Sequence, residues 1–199
     1  MPGQGLRWGG RNMVSRDFTD APIALRTAVF GDAAHIARLH DEVWRATYRD
    51  LASPAAWEAL TEAVRRARWE EVLGEADPQR TTLVAERAGR LVGFGTACAP
   101  TEAAFEGRGE IRWLHVDPAL QGAGIGRRLM SALTRQLADW GYDGCALAVV
   151  VGNEPAIAFY ERLGGRRAGG FTDPGPLWRS DNIVFVWDEL SPLIGAGQY

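Results

Sequence analysis

The first half of the chain contains short runs made mostly of apolar and β-branched residues, a pattern that predicts β-strands. One run covers 23–29, and two more, 81–86 and 90–99, are separated by a short Ala-Gly turn. A glycine between two such runs favours a hairpin, because it adopts the backbone angles of a tight turn at little cost. The pattern therefore predicts a single strand and, further along, a paired hairpin.

Two helices are predicted between these strands. Asp32 is an expected N-cap for the first helix, whose apolar face is formed by Ile36, His40, Val43 and Thr47. Ser53-Pro54 predicts the start of the second helix, because a capping serine followed by proline is typical of a first turn. The apolar side of this second helix is continued by Trp57, Leu60, Val64, Ala67 and Val72.

The second half predicts a strand, a long helix and a further strand in succession. Residues 111–116 form the first of these strands, and Asp117-Pro118 ends it. Gly141 closes the helix, in which apolar residues recur at every fourth position: Ile125, Leu129, Leu133 and Leu137. Residues 145–151 are apolar without alternation, as expected for a strand buried on both faces. This order predicts a right-handed parallel crossover.

Shorter elements complete the predicted domain. Asn153 is expected to cap a short helix that runs to Leu163 and ends at Gly164-Gly165. It is followed by a strand near 166–171, a loop over 172–181 and a strand over 183–187.

Composition sets the domain limits. Residues 1–21 are rich in glycine and arginine and show no period, which predicts a disordered N-terminal arm. Residues 22–190 are expected to form one α/β domain, and residues 191–199 a C-terminal tail. A chain of 199 residues is long enough to bury a substantial core within a single domain.

Charge and hydropathy exclude several classes of protein. A net charge of −3 gives no electrostatic case for binding nucleic acid. No apolar run reaches the ~20 residues that span a bilayer. The N-terminus also lacks the apolar region of a signal peptide. We therefore expect a cytoplasmic protein that does not bind membranes.

Cysteine and histidine positions predict neither a disulfide nor a metal site. Cys98 and Cys145 both lie in apolar, strand-like runs, which favours buried free thiols over a disulfide. No spacing of cysteine and histidine is typical of a metal site.

Residues 121–126 read Q-G-A-G-I-G and lie between a predicted strand and the long helix. A helix N-terminus offers unpaired N–H groups and about half a positive charge, and residues without Cβ let a phosphate approach them. The stretch therefore predicts a phosphate or pyrophosphate site, with a tight turn that binds nothing as the alternative. Arg127 and Arg128 follow the glycines, so the stretch matches neither the dinucleotide-binding fingerprint nor the P-loop motif.

The glycine-rich stretch resembles the acyl-CoA signature of the GNAT acetyltransferases. Residues 116–129 read V-D-P-A-L-Q-G-A-G-I-G-R-R-L. The family pattern Q/R-x-x-G-x-G/A is matched there by Gln121, Gly124 and Gly126.

Further motifs extend the resemblance over roughly residues 23–188. Residues 153–164, N-E-P-A-I-A-F-Y-E-R-L-G, are similar to the family run N-x-x-A-x-x-F-Y-x-x-x-G. E-I-R-W-L-H-V at 110–116 resembles the family strand that precedes the signature, and 44–49 matches W-R-x-T-Y-R. The resemblance implies the GNAT fold. That fold is a mixed, mostly antiparallel sheet of six to seven strands, with a central parallel pair splayed at the CoA site and helices on both faces.

The resemblance also implies a cofactor and a set of residues that hold it. Acetyl-CoA is the expected donor and CoA the product, with no metal. Amides of the glycine-rich turn would bind the pyrophosphate, and the strand end would pair with the pantetheine. The Val116 N–H, or a neighbouring one, would bind the thioester oxygen. The implied cofactor residues are Leu114, His115, Val116, Gln121, Gly122, Ala123, Gly124, Ile125, Gly126, Arg127, Asn153 and Tyr160.

Two catalytic roles follow from the same resemblance. Tyr160 is expected to stabilise the departing thiolate by a hydrogen bond at least as much as by proton transfer, with ordinary core packing as the alternative. Glu110 is the leading candidate for the base that deprotonates the amine, through a water relay, with a solvated charge as the alternative. His115 is a rival base, for which packing within the strand is the alternative.

In the fold that the resemblance implies, the first two helices and the loop between the last strands line the acceptor cleft, and aromatic and acidic side chains there are the candidates for binding the acceptor. They are Trp44, Tyr48, Trp57 and Trp178, with Asp173 and Asp181. Rings and carboxylates together would hold a cationic amine, whereas core packing and solvated loops are the simpler readings of the same residues.

The acceptor itself stays open at this stage. It is a small-molecule amine or a peptide, including a protein N-terminus. An acyl-CoA sensor without turnover and a transferase of a larger acyl group are the alternatives to an N-acetyltransferase. Pairing of two copies is common in the family, but nothing in the sequence decides the oligomeric state.

Overall fold

The computed structural model describes Phe18, residues 21–175 and residues 178–195. The predicted arm at 1–21 therefore lies almost entirely outside the described residues. Seven strands form one sheet: β1 (Ile23–Thr27), β2 (Arg80–Arg87), β3 (Arg90–Cys98), β4 (Gly109–Val116), β5 (Cys145–Val150), β6 (Arg166–Asp173) and β7 (Ser180–Trp187). Their order is β1-β2-β3-β4-β5-β7-β6, and only β4 and β5 are parallel neighbours. The predicted mixed, mostly antiparallel sheet is confirmed.

Helices cover both faces of this sheet. They are α1 (Ala33–Thr47), α2 (Pro54–Ala59), α3 (Glu62–Gly74), α4 (Ile125–Asp139), α5 (Glu154–Arg162) and α6 (Ser191–Gly195). Phe94 of β3 packs in a cluster with residues of α1 and α3, whereas a Cβ on the adjacent Gly95 would meet Leu133 of α4 at 2.8 Å. Because successive residues of a strand face opposite sides, α1 and α3 lie on one face and α4 on the other.

Strands β4 and β5 pair at one end and separate at the other. Their only registered pairs are Gly109 with Cys145 and Glu110 with Ala146. Beyond these pairs β4 runs on to Val116 without a partner on its β5 side. The predicted splayed parallel pair is confirmed, and it leaves a gap in the middle of the sheet.

A β-bulge in β4 accompanies this divergence. The register against β3 shifts between Thr96–Arg112 and Phe94–His115, which leaves an extra residue on β4. Trp113 in this bulge has φ 50°, a left-handed angle that is unusual for an aromatic residue. The guanidinium of Arg112 lies 4.5 Å from the centre of the Trp113 ring system, so both neighbours occupy the same face.

The hairpin and the crossover helix were predicted correctly. Ala88 and Gly89, at φ 48° and 73°, form the β2–β3 turn, and α4 follows β4 as the crossover to β5. Helix α5 begins after its predicted cap, since the Asn153 side chain accepts a hydrogen bond from the Ala156 N–H.

The single helix predicted after Ser53 is wrong, because the structure contains two. The Ser53 hydroxyl caps α2 as expected, but the Thr61 hydroxyl then accepts a hydrogen bond from the Val64 N–H and starts α3. This restart rotates the buried face, so that Val64 is 43% exposed. Arg65, Trp69 and Val72 are buried instead, at the spacing of one helical face.

Asp32 precedes α1 as predicted, but it does not cap the helix with its side chain. Its carboxylate accepts hydrogen bonds from the Val29 N–H at 2.8 Å and from Arg26 at 2.6 and 2.8 Å. The side chain therefore ties the end of β1 to the start of α1. These bonds to Arg26 lower the pKa of Asp32.

Three further predictions need correction. Ala148 in β5 is exposed, because β4 has already separated from β5 at that level, so β5 is not buried on both faces. The last connection is shorter than predicted, since β6 extends to Asp173 and β7 begins at Ser180. Part of the expected tail is helical, because α6 follows the domain and its Leu193 is buried in the core.

Within the described ranges, no helix is both long enough and apolar enough to cross a membrane.

Substitution of Gly144 should destabilise the closed end of the gap. The Gly144 carbonyl accepts the Gly109 N–H at 3.1 Å, and a Cβ at residue 144 would lie 2.4 Å from the Trp187 carbonyl oxygen. Because this neighbour is backbone, Gly144→Ala should lower the free energy of unfolding by about 1–3 kcal/mol. Gly31→Ala is the matched control, since a Cβ there meets no described atom within 4 Å. Equal urea midpoints for the two variants would contradict the prediction.

Candidate functional site

Helix α4 begins without a side-chain cap. Ser53, Thr61 and Asn153 each accept a hydrogen bond from a first-turn N–H of α2, α3 and α5. At α4 the N-cap is Gly124, which has no side chain that could accept such a bond. The first N–H groups of α4 are therefore available to an external acceptor, at the positive end of the helix dipole.

The glycines of this turn have two different roles. Gly122 and Gly124 have φ 84° and 79°, and a Cβ on either would meet no described atom within 4 Å. These positions need glycine for its left-handed backbone angles. Gly126 has an ordinary φ, but a Cβ there would lie 3.2 Å from the Phe159 ring. Its small size lets α4 begin close to α5.

Two arginines follow the glycines in the first turn of α4. Arg127 is exposed and Arg128 half-buried, and neither makes an ion pair within the part of the chain that the structure describes. The same turn contains no acidic residue. Cations at a helix N-terminus oppose the helix dipole unless an anion binds there. The turn is therefore complementary to an anion.

Asp117 anchors this turn to the sheet. Its carboxylate accepts the Ala119 N–H at 2.9 Å and forms an ion pair with Arg90 at the start of β3. Its own N–H donates to the Val92 carbonyl at 2.9 Å. The position of the glycines is thus fixed by the adjacent strand.

The end of β4 presents backbone groups to the gap. His115 faces Phe94 in the same register that joins Asp117 to Val92. Because hydrogen-bonded positions alternate along an antiparallel pair, the intervening Val116 points its N–H away from β3 and toward β5. The His115 N–H belongs to the β3 ladder by the same alternation.

Tyr160 is a buried hydroxyl on α5. Its side chain is 7% exposed, and its ring centre lies 5.9 Å from Phe185 and 6.1 Å from Trp187. Burial raises the pKa of Tyr160, and the nearby Tyr48 phenol acts in the same direction. The group is therefore a core aromatic that remains protonated and able to donate.

Glu110 is buried rather than solvated, at the last parallel pair before the gap. Its carboxylate accepts hydrogen bonds from the Thr101 N–H at 2.9 Å and hydroxyl at 2.7 Å, and pairs with Arg112 at 3.1 Å. Burial raises the pKa of Glu110, against the opposing effects of Arg112 and Thr101.

His115 packs against aromatic rings on the α1 side of the sheet. Its ring centre lies 4.8 Å from that of His40 and 5.2 Å from that of Phe94. Burial, together with the charge of Arg65, lowers the pKa of His115 to about 3. The imidazole is therefore neutral near pH 7 and weakly basic, which favours the packing role over the role of rival base.

The predicted acceptor-side aromatics lie together. The centre of the Trp44 ring system lies 5.7 Å from Tyr48, 5.0 Å from Trp57 and 5.7 Å from Trp178. Trp178 also lies 5.1 Å from Tyr48. The Asn153 amide donates to the Tyr48 hydroxyl over 3.5 Å, so the cluster reaches the start of α5.

Each of the predicted carboxylates accepts a hydrogen bond from a neighbouring group. Asp173 accepts the Gly175 N–H at 2.8 Å, and Asp181 accepts the Thr172 hydroxyl at 2.6 Å. Two arginines of the protein also lie over the faces of these aromatic rings. Arg65 lies 4.9 Å from Trp44 and Arg45 lies 5.2 Å from Trp57, both measured to the ring centres. Two of the rings thus already have a guanidinium beside them, and the expected binding of a cationic amine stays a prediction.

Sequence reasoning missed Arg65 and its partner Asp41. The Arg65 side chain is 6% exposed and pairs with Asp41 at 3.4 Å. A charged residue four and seven positions before Trp69 and Val72 would have indicated a buried cation. The three residues can be assigned to one helical face only when the start of α3 after Thr61 is known.

A cavity of about 490 Å³ opens next to the aromatic cluster. It lies between the segment that joins α1 to α2 and the β6–β7 connection. Its lining residues are Leu51, Ala52, Ser53, Pro174, Gly175, Trp178 and Arg179.

Both cysteines are free and buried, as predicted. Burial raises the pKa of Cys98 to about 12 and raises that of Cys145 as well, so neither thiol forms a thiolate readily. Among the described residues, no group of three histidine, cysteine, aspartate or glutamate side chains could hold a metal ion.

Comparison with curated proteins finds partial matches. The chain is 35% identical over 107 residues to a mycothiol acetyltransferase from Pseudarthrobacter chlorophenolicus. The match covers 53% of this chain but only 32% of that relative, so the chain spans about a third of its length.

Solved structures share the fold at low identity. The PaiA N-acetyltransferase from Thermoplasma acidophilum, in complex with coenzyme A, aligns with a TM-score of 0.63 at 18% identity. The alignment covers 82% of this chain and 98% of that one. YncA from Salmonella typhimurium, solved with its cofactor acetyl-CoA, aligns with a TM-score of 0.57 at 21% identity, over 82% and 93% of the two chains.

A family model also matches the chain. The model described as the Acetyltransferase (GNAT) family matches residues 36–165, which is more than half of the chain. This range contains most of α1, the gap between β4 and β5, the α4 turn and α5. The chain belongs to the GNAT acetyltransferase family.

Proposed function

We propose that this protein transfers an acetyl group from acetyl-CoA to a primary amine by direct attack of the amine on the thioester. The observation that carries the proposal is the uncapped, arginine-rich start of α4 beside the gap between β4 and β5. An anion-binding turn next to a strand with open backbone groups suits a ligand with a diphosphate and an extended amide chain. CoA has both features.

Each part of the ligand has a complementary group. The diphosphate would bind the N–H groups that open α4, with Arg127 and Arg128 adding charge. The pantetheine would lie along β4, and the Val116 N–H would donate to the thioester oxygen as it becomes an oxyanion. Tyr160 would donate its hydroxyl proton in a hydrogen bond to the departing thiolate.

The amine must lose a proton before it attacks. An amine of pKa ~10.4 is mostly protonated at neutral pH, at a cost of about 4–5 kcal/mol. We propose Glu110 as the base, acting through water, because burial raises its pKa and so increases its affinity for a proton. His115 suits this role less, because its pKa of about 3 makes it a weak base.

Two other functions stay as alternatives. A domain that binds acyl-CoA without turnover would use the same turn, and a transferase of a longer acyl group would use the same gap. An amine panel with acetyl-CoA and longer acyl-CoA donors separates them, because the sensor releases no free CoA with any amine.

Removing the two arginines should affect CoA binding and stability in opposite directions. Arg127→Gln/Arg128→Gln should weaken CoA binding about tenfold to a hundredfold, because charge-assisted hydrogen bonds to phosphate are lost. The free protein should be slightly more stable, since two cations leave the positive end of a helix. Calorimetry and thermal unfolding measure the two effects.

Arg135→Gln is the control for this variant. Arg135 is also exposed on α4, but it lies in a later turn. Its CoA affinity should equal that of the wild type. Undetectable binding of CoA to the wild type at millimolar concentration would refute the proposed function itself.

Tyr160→Phe should slow turnover about tenfold to a hundredfold without abolishing it, because it removes a hydrogen bond to the thiolate. CoA affinity and the urea midpoint should stay near wild type, since the ring remains packed against Phe185 and Trp187. Tyr142→Phe, which removes a hydroxyl that donates to Gln79, is the control. Unchanged kcat in Tyr160→Phe would show that the hydroxyl has only a packing role.

Glu110→Gln should lower kcat near pH 7 by about a hundredfold or more, the typical effect of losing a general base. Wild-type kcat should fall with decreasing pH as the Glu110 carboxylate is protonated. Because burial raises the pKa of Glu110, this fall should occur at a higher pH than it would for an ordinary glutamate. In Glu110→Gln the change in kcat caused by protonation of residue 110 should be absent, and kcat should rise steadily with pH. Glu102→Gln, at an exposed neighbouring carboxylate, should keep the wild-type profile. A reduced rate with an unchanged profile would assign Glu110 a structural role.

A further inference from the structure

Arg65 is a buried cation with incomplete pairing. Its side chain is 6% exposed, and its ion pair with Asp41 is long, at 3.4 Å through Nε. Its Nη2 atom is inaccessible to solvent and has no hydrogen-bond partner among the described residues. Burying a charged donor without a partner is costly, so the arrangement calls for an acceptor.

The local charge is also out of balance. The Asp41 carboxylate that pairs with Arg65 accepts a shorter bond from Arg45, at 2.7 Å. One carboxylate therefore serves two guanidinium groups. Among the ion pairs of the described chain, Arg65 has no second carboxylate. One positive charge is left in excess on the inner side of α1.

This excess charge lies on the acceptor side of the gap. Arg65 is 4.9 Å from the ring centre of Trp44, which contacts Tyr48 and Trp178. Burial raises the pKa of Tyr48 and lowers that of His115, and the charge of Arg65 lowers both. Arg65 therefore lies against the aromatic cluster, and its charge acts on both Tyr48 and His115.

The adjacent cavity has the same electrostatic character. Among the residues that the structure describes, its lining includes one charged side chain, that of Arg179, and no carboxylate. The carboxylates that were expected to attract a cationic substrate, Asp173 and Asp181, accept hydrogen bonds from neighbouring groups. The charged group in the described lining is therefore one that attracts an anion.

We propose that the acceptor is an amine that also carries a carboxylate, and that the guanidinium of Arg65 binds this carboxylate. The inference rests on the proposed acetyl transfer at the same site and names the class of its acceptor. A planar guanidinium is complementary to a carboxylate, which supplies two acceptor oxygens. The single negative charge of a carboxylate also matches the single positive charge in excess, whereas a phosphate would exceed it.

The first test compares matched acceptors on the wild-type protein. Three amino acids, one aliphatic, one aromatic and one ω-amino, are each compared with their own carboxamide by kcat/KM for CoA release. We expect at least one acid to exceed its amide about tenfold or more. An α-amino amide has the less basic amine and would be favoured at neutral pH without charge recognition, so chemistry alone would give the opposite order for the α-amino pairs.

The second test assigns the preference to Arg65. Arg65→Gln should remove the preference for the acid, and Arg65→Lys should retain part of it. Arg66→Gln is the matched control, because Arg66 is the exposed neighbour on α3 and pairs with Glu70. If Arg65→Gln fails to fold, Arg65→Lys still decides, because a lysine keeps the charge but not the planar fork.

A binding measurement gives a readout that does not depend on turnover. Calorimetry in the presence of CoA should detect 3-phenylpropanoate binding to the wild type and to Arg66→Gln, and much weaker binding to Arg65→Gln. The uncharged 3-phenylpropanamide should bind weakly to all three.

The outcomes separate the inference from the function on which it rests. Turnover of amines with no acid preferred over its amide, or a preference that persists in Arg65→Gln, would overturn the role of Arg65 and leave acetyl transfer intact. Absence of both CoA binding and CoA release would overturn the proposed function, and the inference with it.

Discussion

The separation of two parallel strands is the constraint on which the rest of the molecule depends. Two pairs, Gly109 with Cys145 and Glu110 with Ala146, join β4 to β5, and beyond them the strands diverge. Unpaired backbone groups in the middle of a sheet are costly unless something binds them. The gap therefore makes the centre of this sheet a site where backbone groups remain available to a ligand.

The helices around the gap follow from the same geometry. Helix α4 starts where β4 ends, and Asp117 ties that start to β3. The uncapped N–H groups and the two arginines at the start of α4 therefore lie at the open end of the gap. Helix α5 starts where β5 ends, which brings Tyr160 and Asn153 to the opposite wall. One opening in the sheet is therefore surrounded by a helix start without a side-chain cap, an open strand edge and a buried phenol.

The aromatic cluster on the α1 side of the gap has a different physical character. Aromatic rings from α1, from the segment just after it, from α2 and from the β6–β7 connection pack together there. Arginines of the protein itself lie over the faces of Trp44 and Trp57. Asp41 balances only one of the two guanidinium groups that contact it. The chemistry of this wall is thus aromatic and positive, although the chain as a whole carries a net charge of −3.

The sequence by itself determined the features that depend on neighbours in the chain. The crossover from β4 through α4 to β5, the hairpin at Ala88-Gly89 and the Asn153 cap all follow from local period and turn chemistry. The glycine-rich turn could be predicted for the same reason, because the residues that form it are contiguous in the sequence. Tertiary structure decided the features that depend on distant residues. Exposure of Ala148 requires β4 to leave β5, and the buried face of α3 depends on where the helix restarts and on what packs against it. The surplus charge at Arg65 arises from residues 24 positions apart on two packed helices, which no local pattern encodes.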